Sequence, residues 1–134
     1  VQYPPRQVVL VFLKSEKTLS LFAAGAAGQP KAVKTYPVLA ASGKPGPKLR
    51  DGDRQVPEGI YRIESLNPNS AYHLSLRLNY PNEDDLRYAR LDRRTNLGGD
   101  IMIHGKRASI GCLAIGDESI EEIFTLAADT RYRA

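Results

Sequence analysis

The clearest pattern of hydrophobic and polar positions lies in residues 71–80. Apolar or aromatic side chains alternate there with polar ones, with Tyr72, Leu74, Leu76, Leu78 and Tyr80 set against His73, Ser75, Arg77 and Asn79. Because successive side chains of a strand point to opposite faces, this period of two predicts a β-strand. We expect its apolar face in the core and its polar face in water.

Shorter apolar runs predict further strands. They are rich in aliphatic and β-branched residues, which favour extended structure, and they span residues 8–12, 18–23, 32–41, 60–63 and 101–104. The first two runs are separated by a charged stretch, so they are predicted to form a hairpin. Residues 42–57 are instead crowded with Gly, Pro and charge, which predicts a long exposed loop.

Two segments carry helix signals. Asn82 stands before three acidic residues and is a candidate cap for a short helix, or else a loop, near 82–94. Beyond Cys112, apolar side chains recur at helical spacing, at Ile120, Ile123, Phe124 and Ala127. Asp117 or Ser119 is predicted to cap this amphipathic helix, with Ser119 and Glu122 forming a capping box.

The composition agrees with a single domain rich in strands. The 134 residues are 42% hydrophobic and include 11 Gly and 9 Pro, which fits one compact domain over residues 1–134 built from short strands and turns. The sequence therefore predicts a mostly β (α+β) fold. We expect a small β-sandwich or barrel with one C-terminal helix and the short helix or loop near 82–94.

Charge and cysteine content narrow the classes of function. The net charge is +4, but basic residues are interleaved with acidic ones, and a nucleic-acid-binding β-barrel would need stacking aromatics among its basic residues. Nucleic acid is therefore not an expected partner. A single cysteine cannot form an internal disulfide, and with two histidines it cannot complete a four-ligand zinc site. We expect no metal or organic cofactor.

No segment of this chain is predicted to span a membrane. None approaches about 18 consecutive apolar residues, and the first residues lack the basic region and apolar run of a signal peptide.

Candidate chemistry is concentrated in the stretch IHGKRASIGC, which holds Cys112 and His104. A cysteine nucleophile needs a neighbouring base or positive dipole, and His104 is a candidate base. The amides around Gly111 and Cys112 are candidates for stabilising an oxyanion. Two plainer interpretations stay open: an isolated cysteine is often an inert buried side chain, and a histidine at a strand end is often a surface residue.

The segment HGKRASIGC, which follows an apolar strand and leads into an amphipathic helix, resembles the signature of the YkuD-type L,D-transpeptidases. Upstream, VPEGIYRI at residues 56–63 is similar to the Thr-Pro-x-Gly-x-Phe segment of that family. Together with SGK at 42–44 and YHLSLRLNYPN at 72–82, the pattern is most similar to the YafK-like branch.

The resemblance implies roles for individual residues. Cys112 would be the nucleophile and His104 the base, with the carbonyl of Gly105 orienting the imidazole. Gly111 and the Cys112 amide would form the oxyanion site, and Ser109 would match a serine of the signature.

Two departures from the family signature bear on the substrate. Ile110 replaces a histidine two residues before the cysteine, and Ala114 replaces an arginine two residues after it. A different acyl donor, or hydrolysis in place of crosslinking, becomes more credible. The basic residues that are candidates to meet a substrate carboxylate instead are His73, Arg77, Lys106 and Arg107.

The resemblance implies an acyl transfer at the L-centre of diaminopimelate in peptidoglycan stem peptides, through a thioester on Cys112. An amine acceptor would give a crosslink or lipoprotein attachment, and water would give stem trimming or release of a peptidoglycan-linked lipoprotein. The substrate implies a periplasmic or cell-envelope location. The alternative is a non-catalytic peptidoglycan-binding domain. Fast alkylation of Cys112 near pH 6 is expected if a His104 imidazolium lowers the pKa of the thiol, and resistance is expected of a structural cysteine.

Overall fold

The first three strands form an antiparallel meander, and five others form a second, open sheet. The computed structural model describes residues 3–25, 28–71, 73–107 and 112–131. The elements are β1 (Gln7–Leu13), β2 (Thr18–Ala24), β3 (Lys31–Pro37), β4 (Ala40–Ala41), β5 (Ile63–Ser70), β6 (His73–Leu78), α1 (Glu83–Leu91), β7 (Met102–His104), β8 (Leu113–Ala114) and α2 (Asp117–Arg131). This confirms the predicted mostly β fold with a C-terminal helix. Neither sheet closes into a barrel. Over the described ranges, no helix has the length and apolar character needed to cross a membrane.

The five-stranded sheet has the order β4-β8-β7-β6-β5. Its neighbours are antiparallel except β7 and β8, which run parallel. Two adjacent rows of paired residues cross its centre, Leu76 with Ile103 and Leu113, and Ser75 with His104 and Ala114. Since side chains alternate along strands, the two rows point to opposite faces of the sheet.

The first row faces a core that both sheets share with α2. Leu19 and Leu21 of β2 pack there with Ile120 and Ile123 of α2. Ile120 and Ile123 are both 0% exposed, and burial of one such side chain contributes about 1.5–3 kcal/mol. The opposite face of the five-stranded sheet carries the candidate chemistry.

The single strand predicted over residues 32–41 is instead two strands in different sheets. β3 ends at Pro37, which has no N–H to continue a ladder. The next two amides bond elsewhere: Val38 N donates to Lys17 O, and Leu39 N donates to Ala114 O. The chain thereby crosses from the three-stranded sheet to the edge of the five-stranded sheet.

Two other strand predictions need correction. The segment 60–63 was expected to be extended throughout, but β5 begins only at Ile63, where pairing with Leu78 starts, and Ile60 is 94% exposed. The polar face of β6 is not uniformly wet, since Ser75 is 1% exposed. Ser75 belongs to an interior strand of the sheet, between β5 and β7.

The short helix near 82–94 is present as α1, with Asn82 as its N-cap. The Asn82 side chain accepts a hydrogen bond from Asp85 N, and Asp85 Oδ2 accepts one from Asn82 N, both at 2.9 Å. This reciprocal pair satisfies two amides that a helix start leaves without partners.

Replacing Asn82 with alanine is expected to lower the free energy of unfolding by about 1–2 kcal/mol, because the cap bond and a bond from Asn82 Nδ2 to Ile60 O are both lost. Urea denaturation measures the change. Asn96→Ala, at an exposed position, is the matched control, with an expected change within about 0.5 kcal/mol. Equal effects of the two variants would contradict this role of the cap.

The predicted start of α2 is wrong in detail. The helix already begins at Asp117, so Ser119 lies within its first turn and does not cap it. Gly116, at φ 85°, makes the turn into the helix, and its carbonyl accepts the Ile120 amide at 3.1 Å. The Asp117 carboxylate accepts a bond from Lys106 N at 3.0 Å, which ties the loop after β7 to α2.

Candidate active site

The parallel pair β7 and β8 brings the segment that carries Cys112 next to the strand that carries His104. His104 is opposite Ala114, and Cys112 lies two residues before Ala114, directly before β8. Met102 lies two residues before His104 on β7, and its N–H donates to Cys112 Sγ at 3.4 Å. Cys112 and His104, the candidate nucleophile and base, therefore lie on neighbouring segments of the chain, Cys112 beside the start of β7 and His104 at its end.

His104 is held firmly by its surroundings. It is 1% exposed, and its Nδ1 lies 2.6 Å from Gly105 O. Since a carbonyl only accepts, Nδ1 carries the proton and Nε2 is the basic nitrogen. Burial lowers the pKa of His104 below 6.5, although the bond to the Gly105 carbonyl works in the opposite direction. The imidazole is thus neutral at neutral pH.

The thiol of Cys112 is also largely buried, at 7% exposed. Its Sγ donates to Asp100 O at 3.4 Å and accepts from Met102 N at the same distance. Burial is the largest influence on the pKa of Cys112 and raises this pKa above 9.0. The charge of Asp100 also raises the pKa, whereas the Met102 amide and the charge of Lys48 lower it. The site therefore rests as a neutral thiol and a neutral imidazole. This arrangement argues against the expected imidazolium and against fast alkylation near pH 6.

Arg77 is linked to Cys112 through Asp100. It is opposite Met102 in the sheet, and its guanidinium forms ion pairs with Asp100 and, at 3.2 Å, with Glu64. Asp100 thus uses its carbonyl to hold Cys112 Sγ and its carboxylate to hold Arg77. Arg77 is part-exposed, so it is within reach of a ligand that enters from this edge.

The remaining predicted site residues are spread more widely. His73 Nε2 lies 2.8 Å from Glu121 of α2. His73 precedes Ser75 by two residues in β6, so it is on the far side of Ser75 from Met102, the residue that contacts Cys112. Lys106 is 3.9 Å from Asp117, and Arg107 is exposed. Ser109, Ile110 and Gly111 lie outside the described residues. Among the predicted residues, the structure gathers Cys112, His104, Gly105 and Arg77.

Ser75 is a residue that the sequence pattern assigned to the wet face. It is opposite His104 in the ladder, and its hydroxyl is buried without a hydrogen-bond partner among the described residues. An unsatisfied buried hydroxyl costs about 1–3 kcal/mol. The cost is unusual for a position in the middle of a sheet.

We expect Ser75→Ala to leave the free energy of unfolding unchanged or to raise it by up to about 1 kcal/mol, because the variant removes an unsatisfied polar group. Ser42→Ala is the contrasting control, since the Ser42 hydroxyl donates to Arg54 O at 2.8 Å, and it is expected to lose about 0.5–1.5 kcal/mol. Both are measured by thermal and urea unfolding. A larger loss in Ser75→Ala than in Ser42→Ala would contradict this assignment.

The sequence did not single out Lys48 or Asp53, which form an ion pair within the loop 42–57. Lys48 is 8% exposed, and its Nζ donates to Asp53 Oδ1 at 2.8 Å and to Arg50 O at 3.0 Å. A lysine in a polar loop rich in Gly and Pro is normally exposed, so composition gave no signal for it. No cluster of three or more potential metal-ligating side chains (His, Cys, Asp or Glu) occurs within the ranges that the structure describes.

Comparison with known proteins assigns the family. Residues 6–131 match the family described as YkuD, L,D-transpeptidase catalytic domain. The chain therefore belongs to the YkuD family of L,D-transpeptidase catalytic domains, as the resemblance predicted.

Among known proteins, the chain is 34% identical over 119 residues to YafK of Escherichia coli strain K12, whose name assigns it provisionally to the L,D-transpeptidases. YafK of Escherichia coli O157:H7 matches equally well. These alignments cover 87% of this chain and 46% of the relatives, so the chain spans about half of their length. The structure of Bdellovibrio bacteriovorus Bd1075 has the same fold, with a TM-score of 0.64 and 23% identity over 91% of this chain and 44% of that chain.

Proposed function

We propose that this chain is a cysteine acyl-transfer domain that acts at the L-centre of diaminopimelate in peptidoglycan stem peptides. The observation that carries the proposal is that Cys112, directly before β8, contacts β7 through Met102 N, two residues from His104 on the same strand. Membership of the YkuD family supports an enzyme and implies a peptidoglycan substrate. The proposed location is accordingly the periplasm or cell envelope, and the proposed unit is one catalytic domain over residues 1–134.

The first step forms a thioester. Cys112 Sγ attacks the carbonyl at the L-centre while Nε2 of His104 takes the thiol proton, which is general-base activation of a nucleophile. The carbonyl oxygen becomes an oxyanion, for which we propose the amides of Gly111 and Cys112 as donors. When the intermediate collapses, the amide C–N bond breaks and His104 returns the proton to the departing amine.

The second step releases the acyl group. An acceptor amine or water attacks the thioester, His104 accepts its proton, and the thiol of Cys112 leaves and is reprotonated. The Gly105 carbonyl stabilises the imidazolium formed in both steps, because it holds Nδ1–H at 2.6 Å. A neutral resting pair suits this sequence, since the base begins without a proton.

Recognition of the stem peptide is proposed to use cations at the edge of the site. Arg77 is placed best, because it is part-exposed and a single residue, Asp100, connects it to the thiol of Cys112. Its partner Glu64 is exposed, so a substrate carboxylate can compete for the guanidinium. Arg107, with Lys106, Ser109 and His73 as further candidates, would contact the substrate outside this core.

Hydrolysis is the second candidate reaction, favoured by one observation. Ala114 is 0% exposed and lies beside His104 on the adjacent strand, where the family signature has an arginine. A methyl group at this position offers no donor to an acceptor peptide. Release of a peptidoglycan-linked lipoprotein is one such hydrolysis, with the amine of the lipoprotein as the leaving group.

Mass spectrometry of muropeptides tests the proposed function. Purified disaccharide tetrapeptides and their dimers are incubated with the wild type and with Cys112→Ala. Crosslinked or exchanged products with the wild type alone would support transfer, and shortened or separated stems with the wild type alone would support hydrolysis. Unchanged substrates with both proteins, in the presence of acceptor amines, would favour a non-catalytic peptidoglycan-binding domain.

A further inference from the structure

Asp100 contacts both the candidate nucleophile and the cation proposed to meet the substrate. Its backbone carbonyl accepts the thiol of Cys112 at 3.4 Å, and its carboxylate forms an ion pair with Arg77. Asp100 has a φ of 55°, in the left-handed region that few residues other than glycine adopt. Because the carbonyl and the carboxylate belong to one residue in this conformation, the position of the carbonyl depends on what holds the carboxylate.

The register of β6 and β7 explains why Arg77 lies next to the segment that holds the thiol. Leu78 N donates to Ile101 O at 2.9 Å, so the neighbouring pair in the ladder, Arg77 with Met102, is a non-hydrogen-bonded pair. The side chains of such a pair approach each other most closely. The N–H of Met102 then points away from β6, and it donates to Cys112 Sγ. The cation and the thiol are therefore on the two sides of the same short segment.

Arg77 holds two acids with two different nitrogen atoms. Its Nη1 binds Asp100, and its Nε binds Glu64 at 3.2 Å. A carboxylate that binds a guanidinium in bidentate fashion uses Nη2 together with either Nη1 or Nε, so it displaces one of these two acids. The side chain of Asp100 is 79% exposed and that of Glu64 is 52% exposed. Asp100 is therefore the acid that a ligand displaces more readily.

The charged or titratable groups around the thiol of Cys112 are His104, Arg77, Asp100 and Lys48. The charge of Asp100 disfavours a negative charge on sulfur, and the charge of Lys48 favours it. The carbonyl of Asp100 acts in the same direction as its carboxylate, because a hydrogen bond donated by S–H stabilises the protonated form. Both groups of Asp100 therefore keep the proton on the sulfur atom.

We propose that Asp100 is a positioning residue that couples substrate recognition to the nucleophile: while Arg77 holds its carboxylate, its carbonyl retains the proton of Cys112 Sγ, and a substrate carboxylate that displaces it from Arg77 releases the thiol. The inference rests on the proposed function. On release the S–H···O hydrogen bond to Asp100 breaks, and the proton becomes available to Nε2 of His104. Substrates are thereby narrowed to stem peptides with a free carboxylate near the reacting carbonyl.

The rate of alkylation of Cys112 by iodoacetamide, followed by intact-protein mass between pH 6 and pH 10.5, tests the resting state without a substrate. Asp100→Asn removes the charge but keeps an oxygen atom that Arg77 can bind, whereas Asp100→Ala removes both. Both variants are expected to move the midpoint of the profile to lower pH, Asp100→Ala further, with alkylation at pH 8 about 3- to 10-fold faster than in the wild type. Glu64→Gln, which removes the same charge from the other partner of Arg77, is the matched control and is expected to keep the wild-type midpoint.

A double-mutant cycle with Arg77→Gln separates the anchoring of Asp100 from its charge. Without the guanidinium the carboxylate has no anchor, so the midpoints of Asp100→Asn and Asp100→Ala are expected to coincide in the Arg77→Gln background. An unchanged midpoint in Asp100→Ala, or equal shifts of the two variants while Arg77 is present, would overturn the proposal. If Asp100→Ala does not fold by circular dichroism, Asp100→Gly, which accepts a positive φ, replaces it with the same expectation.

Steady-state kinetics test the release by substrate. For a stem peptide with a free carboxylate on the diaminopimelate side chain, Asp100→Asn is expected to lower KM by about 2- to 5-fold, because a neutral amide competes less well for the exposed guanidinium of Arg77. For the same stem peptide with that carboxylate amidated, KM is expected to stay unchanged. Equal changes of KM with the two substrates would contradict the coupling.

Failure of this inference is distinguishable from failure of the proposed function. Unchanged alkylation midpoints, together with turnover that depends on Cys112, would overturn the role of Asp100 alone. Turnover of muropeptides that survives in Cys112→Ala would overturn the reaction mechanism, and the role of Asp100 in that mechanism would fall with it.

Discussion

Cys112→Ser is expected to reduce turnover of stem peptides by about 10³-fold or more. The substitution exchanges the sulfur for a smaller oxygen atom and leaves the rest of the side chain unchanged. A serine hydroxyl is much harder to deprotonate than a thiol, and His104 is a neutral base with a lowered pKa. It is therefore too weak to generate the alkoxide in this buried position.

The comparison needs proof that the variant is folded. The hydrogen bonds to Cys112 Sγ, both at 3.4 Å, are long for an oxygen atom, so a modest loss of stability is expected without loss of the fold. Circular dichroism and thermal unfolding monitor this, and Cys112→Ala is the second inactive variant. Folded Cys112→Ser with wild-type turnover would remove Cys112 from the reaction.

His104→Gln is expected to lower turnover by about 10²- to 10⁴-fold, the usual contribution of general acid–base catalysis. Glutamine can still donate a hydrogen bond to the Gly105 carbonyl, but it cannot accept the thiol proton. The loss should appear in kcat as well as in kcat/KM, because proton transfer occurs in the chemical steps.

The pH dependence of the wild type follows from the directions of the two pKa values. His104 must be neutral to act as a base, and burial lowers its pKa below 6.5, so activity should persist below pH 6.5 and fall only under the lowered pKa. Since burial raises the pKa of Cys112 above 9.0, alkylation should be slow near pH 6 and increase into the alkaline range. Fast alkylation at pH 6 would instead indicate an ion pair.

The second histidine supplies a matched control. His73 is bound to Glu121 on α2 and lies at the other end of the β6 ladder from the residues that contact Cys112, so His73→Gln is expected to keep kcat and the acid limb of the pH profile, with any loss from a substrate contact confined to KM. His104→Gln should lose that limb. Equal losses in the two variants would show that neither result reports on the base.

Local patterns were sufficient to predict most of the elements. The alternation in residues 71–80 marks β6, and Asn82 with the acids after it marks α1, since both depend on neighbours in sequence. The boundaries that failed depend on distant partners. β3 stops because Pro37 cannot continue the ladder, and β5 starts where Leu78 becomes available for pairing.

The meeting of Cys112 with His104 could not be derived from spacing alone. Parallel neighbours usually need a crossover of a dozen or more residues, whereas here the eight residues from Gly105 to Cys112 return the chain beside β7. β8, with only two residues, is too short to leave a pattern. The resemblance to a known family pointed to the pair, and the parallel pairing of β7 with β8 explains how the segment that carries Cys112 comes to lie beside the strand that carries His104.

The polar surroundings of the Cys112 thiol could not be predicted from the sequence either. Asp100 bonds Cys112 Sγ through its backbone carbonyl, which every residue possesses. Lys48 is buried in the folded loop, where Asp53 binds its ammonium. Ser75 is buried at a position opposite His104 in the assembled sheet. For Lys48 and Ser75, burial depends on the assembled loop and sheet, so a local sequence pattern cannot predict it.

The most direct test of the account is a search for the acyl-enzyme. Wild-type protein is mixed with a disaccharide tetrapeptide, quenched in acid within the first turnovers, and its intact mass and peptide masses are measured. The account predicts an adduct with the mass of the acyl fragment ending at diaminopimelate, located on the peptide that contains Cys112 and released by hydroxylamine as a thioester should be. Product formation without any adduct on Cys112, or an adduct on another residue, would contradict it.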